Sequence, residues 1–387
     1  MTRTTFRGFV RPDGSVGIRN HVVVIPTVAC ANGVAGLVEK NVPGVVAIRH
    51  GHGCGRALEI AMHQAALAGL GKNPNVAGAV VIGLGCETVN ASVVASEIGA
   101  TGRPVEFFMI QNEGGSRKTA EKASAAAQKM LADASRMHRE ECPLSQLMLG
   151  LECGGSDAFS GVTANPAVGL VSDWLVDRGG TVVLTESTEM IGTAHILLHR
   201  AQTPETAQRI VQIIDQAERR TKDILGPLAS LVIAPGNMDG GMSSIQEKSL
   251  GCICKAGSRA IAGVVDYGQR PAGHGLMIMD GPGYDMESMA GLAAAGCQLM
   301  IFTTGRGNPT GFPIVPVLKV ASTSRLYQAM EDDMDVNAGA VFEGKGLQDV
   351  ADEIKALAIE VMAGAQTRAE KNEQGGILCL YALTPAF

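Results

Sequence analysis

The chain has no block of lysine or arginine, and its aromatic side chains are few: one Trp and four Tyr in 387 residues. A nucleic-acid binder needs a basic stripe and stacking platforms, so that class is set aside. No apolar run reaches the roughly 18–20 residues of a membrane helix. The opening MTRTTFRGF carries no apolar stretch of the secretory kind. Both absences predict a cytoplasmic protein with no membrane partner. There is no G-x-G-x-x-G between an early strand and a helix, and no Walker spacing, which argues against a dinucleotide or nucleotide site. The C-x-x-C knuckles of structural zinc are missing as well.

What the chain has is glycine and thiol. It holds 49 glycines and nine cysteines, with 46% hydrophobic and 18% charged residues and a net charge of −6. This composition buries a large core. Scattered cysteines, odd in number, fit a reducing compartment in which thiols are buried, catalytic or metal-bound. Cys297 and Cys379 lie in apolar runs and are expected in the core. Cys30 and Cys142 carry no assignment.

Strand signals fall at His21–Thr27, Gly44–Arg49 and Ala79–Gly83, with helical patterns between them at Ala31–Lys40 and Leu58–Leu70. A long helix is predicted over Ser116–Glu140, ended by Pro143. The second part repeats the grammar: LMLGLECGGSD, TVVLTESTE, LVIAPGN and LMIFTTGRG are apolar runs that end in polar glycine loops. Helices are expected at Pro166–Asp177, Thr203–Leu225, Met286–Ala295 and Leu347–Ala363, and ILCLYAL as an added edge strand. The fold class is therefore α/β, in two lobes (residues 1–142 and 143–387), with mostly parallel, Rossmann-like sheets flanked by helices.

The chemistry is expected in the loops, because open α/β sheets bind ligands at the carboxyl ends of strands. Cys54 in HGHGCG, Cys86 in GLGCE and Cys153 in GLECGGSD each follow an apolar run. These thiols are expected to share one metal site, and buried structural cysteines are the alternative. Soft ligands favour iron or zinc over magnesium or calcium. A cluster with one open iron and a mononuclear site completed by His50 both remain open. Glu87 adjoins Cys86 and is a candidate catalytic residue. Ser156 and Asp157 offer hydrogen bonds to substrate hydroxyls, or cap a helix. Lys248 beside Glu247 in EKSLG could be a tuned base or a carboxylate anchor, with a surface ion pair as the alternative. Arg306 and Thr304 in FTTGRG resemble an anion cradle, and Lys319 is added to the substrate-binding set. Glu186 and Glu189 in TESTE could be catalytic.

Taken in order, FRGFVRPDGSVGIRN, HGHGCG, GLGCE, ECGGSDAFSGVTANPAVG, EKSLG, FTTGRG and DMDVNAG resemble the altronate and galactarate dehydratase family over nearly the whole chain. The resemblance implies an iron-dependent lyase that removes water from a hydroxy acid. It implies motif positions for His50, Cys54, Cys86, Cys153, Glu247, Lys248 and Arg306. A related class releases sulfite from sulfolactate with a large and a small subunit. Family dehydratases carry a small N-terminal domain that has no counterpart here, so a separate small subunit is one expectation. The working mechanism is β-elimination to a 2-oxo acid, with Lys248 as base, Glu247 orienting it, and an oligomer expected. A non-catalytic ligand-binding subunit of the same fold is the competing class.

Overall fold

The structure is a computed structural model that describes residues 4–56, 58–226, 233–376 and 378–384. Among the described residues, fourteen strands form three sheets. β1 (Thr5–Val10), β2 (Val16–Gly17) and β7 (Glu140–Pro143) make a small antiparallel sheet in the order β2-β1-β7. β3 (His21–Pro26), β4 (Val45–Ala47), β5 (Val76–Gly83) and β6 (Val105–Met109) form a parallel sheet ordered β4-β3-β5-β6. The rest are β8 (Met148–Cys153), β9 (Thr181–Leu184), β10 (Ile261–Val265), β11 (Gly275–Met279), β12 (Leu299–Thr304), β13 (Val317–Ala321) and β14 (Val336–Asn337). They form a seven-stranded parallel sheet ordered β10-β11-β9-β8-β12-β13-β14. The two-lobed α/β class expected from the sequence is the one observed.

Apolar runs explain the sheets. β8, β9, β12 and β13 are buried along their whole length, as parallel strands covered on both faces must be. In β3 the side chains alternate between two cores. Val22 and Val24 pack with the helices Asn32–Asn41 and Ser116–Ala134, and Val23 and Ile25 face the helices Ile60–Lys72 and Ala91–Gly99. That second core continues into the large lobe through Met148, Leu292 and Phe302. Gly69 lets Ile60–Lys72 press on the helix Asp285–Ala295, since a Cβ there would fall 2.5 Å from the Ala294 carbonyl oxygen. Buried amides complete the seam. Asn73 donates to the Ala293 and Cys297 carbonyls, and Asn75 to those of Gln298 and Ile314.

Three local expectations shift. The long helix stops at Ala134 rather than Glu140: the Asn20 side chain caps the Ala134 carbonyl at 2.7 Å, and residues 140–143 pair with β1. Tertiary pairing overrides helical propensity there. In LVIAPGN, Leu231 and Val232 lie outside the described residues, and Pro235–Asp239 is a short helix. The tail is a strap rather than an edge strand, and Ile377 lies outside the described residues. Leu378 makes one parallel bridge to His50, Leu383 and Thr384 donate to Glu59, and Tyr381 meets Tyr267 and Arg220 of the large lobe. No helix among the described residues is long and apolar enough to cross a membrane.

Candidate active site

Strand order places the candidate sites. The large sheet starts at β8, winds through β9, β10 and β11 on one side, then returns past β8 to β12. The carboxyl ends of β8 and β12 therefore flank a topological switch point. The loops leaving them interlock: Gly154 donates to Thr303, and Gly305 and Arg306 both donate to Gly155. Gly155 has φ +58, and a Cβ on Gly154 would lie 2.1 Å from Asp285 Oδ2, so only glycine fits this close approach.

Below this crevice lies a buried polar network. Cys153 Sγ donates to Glu189 Oε2 at 2.9 Å and lies 3.8 Å from Cys252 Sγ. Lys248 forms an ion pair with Glu189. Lys255 donates to Glu186 Oε2 at 2.8 Å, both side chains fully buried, and the Cys153 amide donates to the same carboxylate at 3.2 Å. Glu186 holds φ +72, a left-handed conformation that is costly for a side-chain-bearing residue and typical of functional sites. Glu152 accepts from Ser288 at 2.6 Å, and Asp285 accepts from Asn308 at 2.6 Å.

Several polar atoms in this region have no hydrogen-bond partner among the described residues: Glu152 Oε1, Glu186 Oε1, Thr185 Oγ1, Ser249 Oγ and Lys319 Nζ. Buried orphans of this kind call for a partner such as a water or an ion, or for a role in catalysis. Lys319 is fully buried, with Nζ 3.4 Å from the centre of the Phe302 ring. Burial pulls its pKa down to about 7, against the opposing pull of Asp285 and Glu152. Lys248 is held above the ordinary lysine range: burial lowers it, but Glu189 and Cys153 outweigh that. Burial, reinforced by Glu189, raises Glu186 to about 7.

Two groups of side chains bring their ligand atoms within 4.8 Å of one another and could hold a metal ion. One is Cys153, Glu186, Glu189 and Cys252, and the other is Glu152, Glu186 and Asp285. The first suits a borderline or soft dication. Its two carboxylates are balanced by Lys248 and Lys255, so a dication is neutralised only if both thiols ionise. Binding there would release protons.

The structure redistributes the residues expected to act together. Cys153 sits in this network, whereas Cys54 and Cys86 are exposed on the small lobe and do not join it. The single centre expected for the three sulfurs does not form, because their strands belong to two different sheets. His50 has both ring nitrogens engaged: Nε2 meets the Pro26 carbonyl at 2.6 Å and Nδ1 accepts from the His52 amide at 3.1 Å. Glu87 organises its own loop by accepting from Thr27 Oγ1, Leu84 N and Gly85 N. Glu247 does not orient Lys248. Successive helical residues point about 100° apart. Glu247 turns outward to accept from Ser243, while Lys248 points inward.

Asp157 is spent on Ser160 and Ser322, so it braces the loop instead of presenting a carboxylate. Ser156 is buried beside it, with its carbonyl taken by Asn237. Thr304 Oγ1 accepts from Gly307 N. Arg306 is exposed at the switch point and has no salt bridge among the described residues. Lys255 and Asp285 had no signal in the sequence. Cys252 had only its closeness to Cys254.

Comparison with known proteins agrees with the motif order. The profile described as "D-galactarate dehydratase/Altronate hydrolase, second domain" matches residues 8–135, and "D-galactarate/Altronate dehydratase, C-terminal" matches residues 144–383. Altronate dehydratase of Bacillus subtilis is 37% identical over 95% of this chain and 76% of its own length. The (2R)-sulfolactate sulfo-lyase subunit beta of Chromohalobacter salexigens is 35% identical over 95% of this chain and 94% of its own. Galactarate dehydratase (L-threo-forming) of Escherichia coli is 35% identical over 88% of this chain and 69% of its own. On these matches the chain belongs to the D-galactarate/altronate dehydratase family.

Proposed function

We propose that the chain is a hydro-lyase that dehydrates a sugar acid of the altronate or galactarate type by metal-assisted β-elimination. The observation that carries this reading is the buried network with its orphaned polar atoms beneath the β8–β12 crevice, where one lysine is free and another is fully paired.

The residues divide the work by their surroundings. Arg306, unpaired at the crevice mouth, receives the substrate carboxylate bidentately. The free Lys319 amine takes the proton from the carbon next to that carboxylate. The electron pair left behind forms the new carbon–carbon double bond as the bond to the neighbouring hydroxyl breaks. Lys248, kept as an ammonium by Glu189, gives that hydroxyl the proton it needs to leave as water. The enol product then tautomerises to a 2-oxo acid. Two titratable groups pushed in opposite directions are the arrangement general acid–base chemistry requires. The base role expected of Lys248 therefore passes to Lys319. Cys153, Glu186, Glu189 and Cys252 are the residues that would hold a dication here, and iron is the proposed metal. When bound, such a centre would supply the Lewis acidity that stabilises charge on the substrate oxygens.

A second reading, sulfite release from sulfolactate, is favoured by the alignment spanning 94% of the sulfo-lyase subunit. It carries the further proposal of a partner subunit. A panel of altronate, galactarate and sulfolactate, scored for 2-oxo acid and for sulfite, separates the two. Product from the sugar acids without sulfite supports dehydration, and sulfite from sulfolactate alone replaces it. Arg306→Gln should raise KM about tenfold to a hundredfold, the value of a charge-assisted hydrogen bond, with a smaller change in kcat. An unchanged KM would remove Arg306 from carboxylate binding.

A further inference from the structure

The small lobe has its own switch point. Its sheet begins at β3, moves out to β4, then crosses back to β5, so the loops leaving these three strands meet at one edge. Each loop carries one cysteine: Cys30 after β3, Cys54 after β4, Cys86 after β5. These are the exposed cysteines of the chain, while Cys142, Cys153, Cys252 and Cys297 are buried. Exposed free thiols are a liability at a surface, and three at one end of one sheet call for a reason.

The loops are locked to each other. Ala29 donates to the His52 carbonyl at 2.8 Å. Thr88 N and Val89 N donate to the Gly53 carbonyl at 3.1 and 3.3 Å. Thr27 Oγ1 donates to Glu87 at 2.9 Å, which ties the first loop to the third. Glycines make the approach possible. Gly53 has φ +103, and a Cβ there would lie 2.0 Å from the Thr27 carbonyl oxygen. Gly55 and Gly85, at φ +72 and +129, flank Cys54 and Cys86. The cradle is thus pre-shaped backbone with its thiols turned to solvent. The three sulfurs do not gather within 4.8 Å as a mononuclear ion would require. A cubane cluster instead takes its thiolates at separate corners, so it does not require that closeness, and thiolates are the ligands it uses.

We propose that Cys30, Cys54 and Cys86 ligate a cubane iron–sulfur cluster, leaving one iron without a protein thiolate. Each thiol loses its proton on ligation, and no electron moves in that step. This site is distinct from the Cys153–Cys252 network. The inference goes beyond the reading above, which places its metal at the Cys153–Cys252 group, and can be tested apart from it.

Full-length protein is purified anaerobically, or reconstituted with ferric iron, sulfide and excess dithiothreitol, the dithiol supplying the electrons for the mixed-valent state. The wild type should bind about four iron and four acid-labile sulfide per chain. It should also show broad visible absorption and, after reduction, a paramagnetic resonance signal. Cys30→Ser, Cys54→Ser and Cys86→Ser should each lose most of the sulfide and the visible absorption with unchanged circular dichroism. Cys153→Ser should keep both. Iron without sulfide, or loss of the cluster from Cys153→Ser with retention in the other three, overturns the proposal. If a single-serine variant misfolds, the wild-type protein decides: alkylation of Cys30, Cys54 and Cys86 should be blocked in the loaded form, and full labelling overturns the assignment. A loaded cluster with no turnover of any sugar acid would sink the dehydratase reading and leave the cluster standing. Turnover by wild-type protein free of sulfide would do the reverse.

Discussion

Lys319→Met should lower kcat by about 10²–10⁴-fold, the contribution of a positioned general base, with KM little changed. Methionine keeps the stem packed on Phe302 and removes only the amine. The pH profile supplies the sharper check. With its pKa pulled to about 7 by burial, Lys319 is an ammonium below that pH and a free amine above it. Wild-type kcat/KM should therefore climb through about pH 7 and level off on the alkaline side. The residual rate of the variant should show no such climb. Stability follows the same group in the same sense, rising with pH. The buried amine binds fewer protons than its unfolded counterpart between about pH 7 and the ordinary lysine range, so its cost to the fold is greatest in acid and fades as pH rises. The variant should be more stable than wild type at pH 6, by a margin that narrows toward pH 10. A variant that keeps the alkaline climb in rate excludes Lys319 as the base.

Lys255→Met should cost about 3–5 kcal/mol of folding stability, because it leaves Glu186 buried without its counter-charge. Denaturant unfolding at pH 8 measures this. Glu186 titrates at about 7, well above its unfolded value, so the native state holds a proton that the unfolded state has shed. Stability from this group falls as pH rises toward 7. Without Lys255 the carboxyl rises further and the fall continues to higher pH, so the deficit of the variant should be smaller at pH 6 than at pH 8. A deficit under 1 kcal/mol at pH 8 would mean that the pair does not hold the network together.

Periodicity and glycine placement in the sequence were enough for the parallel α/β class and for β3, β4, β5, β8, β9 and β12, because these buried strands are apolar runs whose loops are punctuated by glycine; β6, β10, β11, β13 and β14 were not singled out. Cys54, Cys86 and Cys153 share that grammar, and the grammar says only that each ends a strand. It does not say which sheet the strand joins, and that is why one metal centre was expected where two groups of thiols exist. Glu247 and Lys248 read as a pair because they are adjacent, but a helix turns neighbours away from each other. The true partner of Lys248 is Glu189, nearly sixty positions upstream and brought close only by folding. Lys255 and Asp285 had no local signature, since a buried charge is recognisable only by what surrounds it. Cys30 lies in TVACAN, a stretch with no flanking glycine loop of the HGHGCG kind, and its meaning appears only when β3 is seen between β4 and β5.

The strap formed by residues 378–384 has a consequence for how a substrate enters. It is stitched on one side to Arg49, His52 and Glu59 and on the other to Tyr267 and Arg220. Asn73 and Asn75 rivet the same two halves from within. A clamshell that swings open would have to strip both sets of fastenings at once. A substrate therefore reaches the crevice at Arg306 with the two halves still fastened, through whatever its rim of glycine turns at 154–155 and 305–307 leaves open.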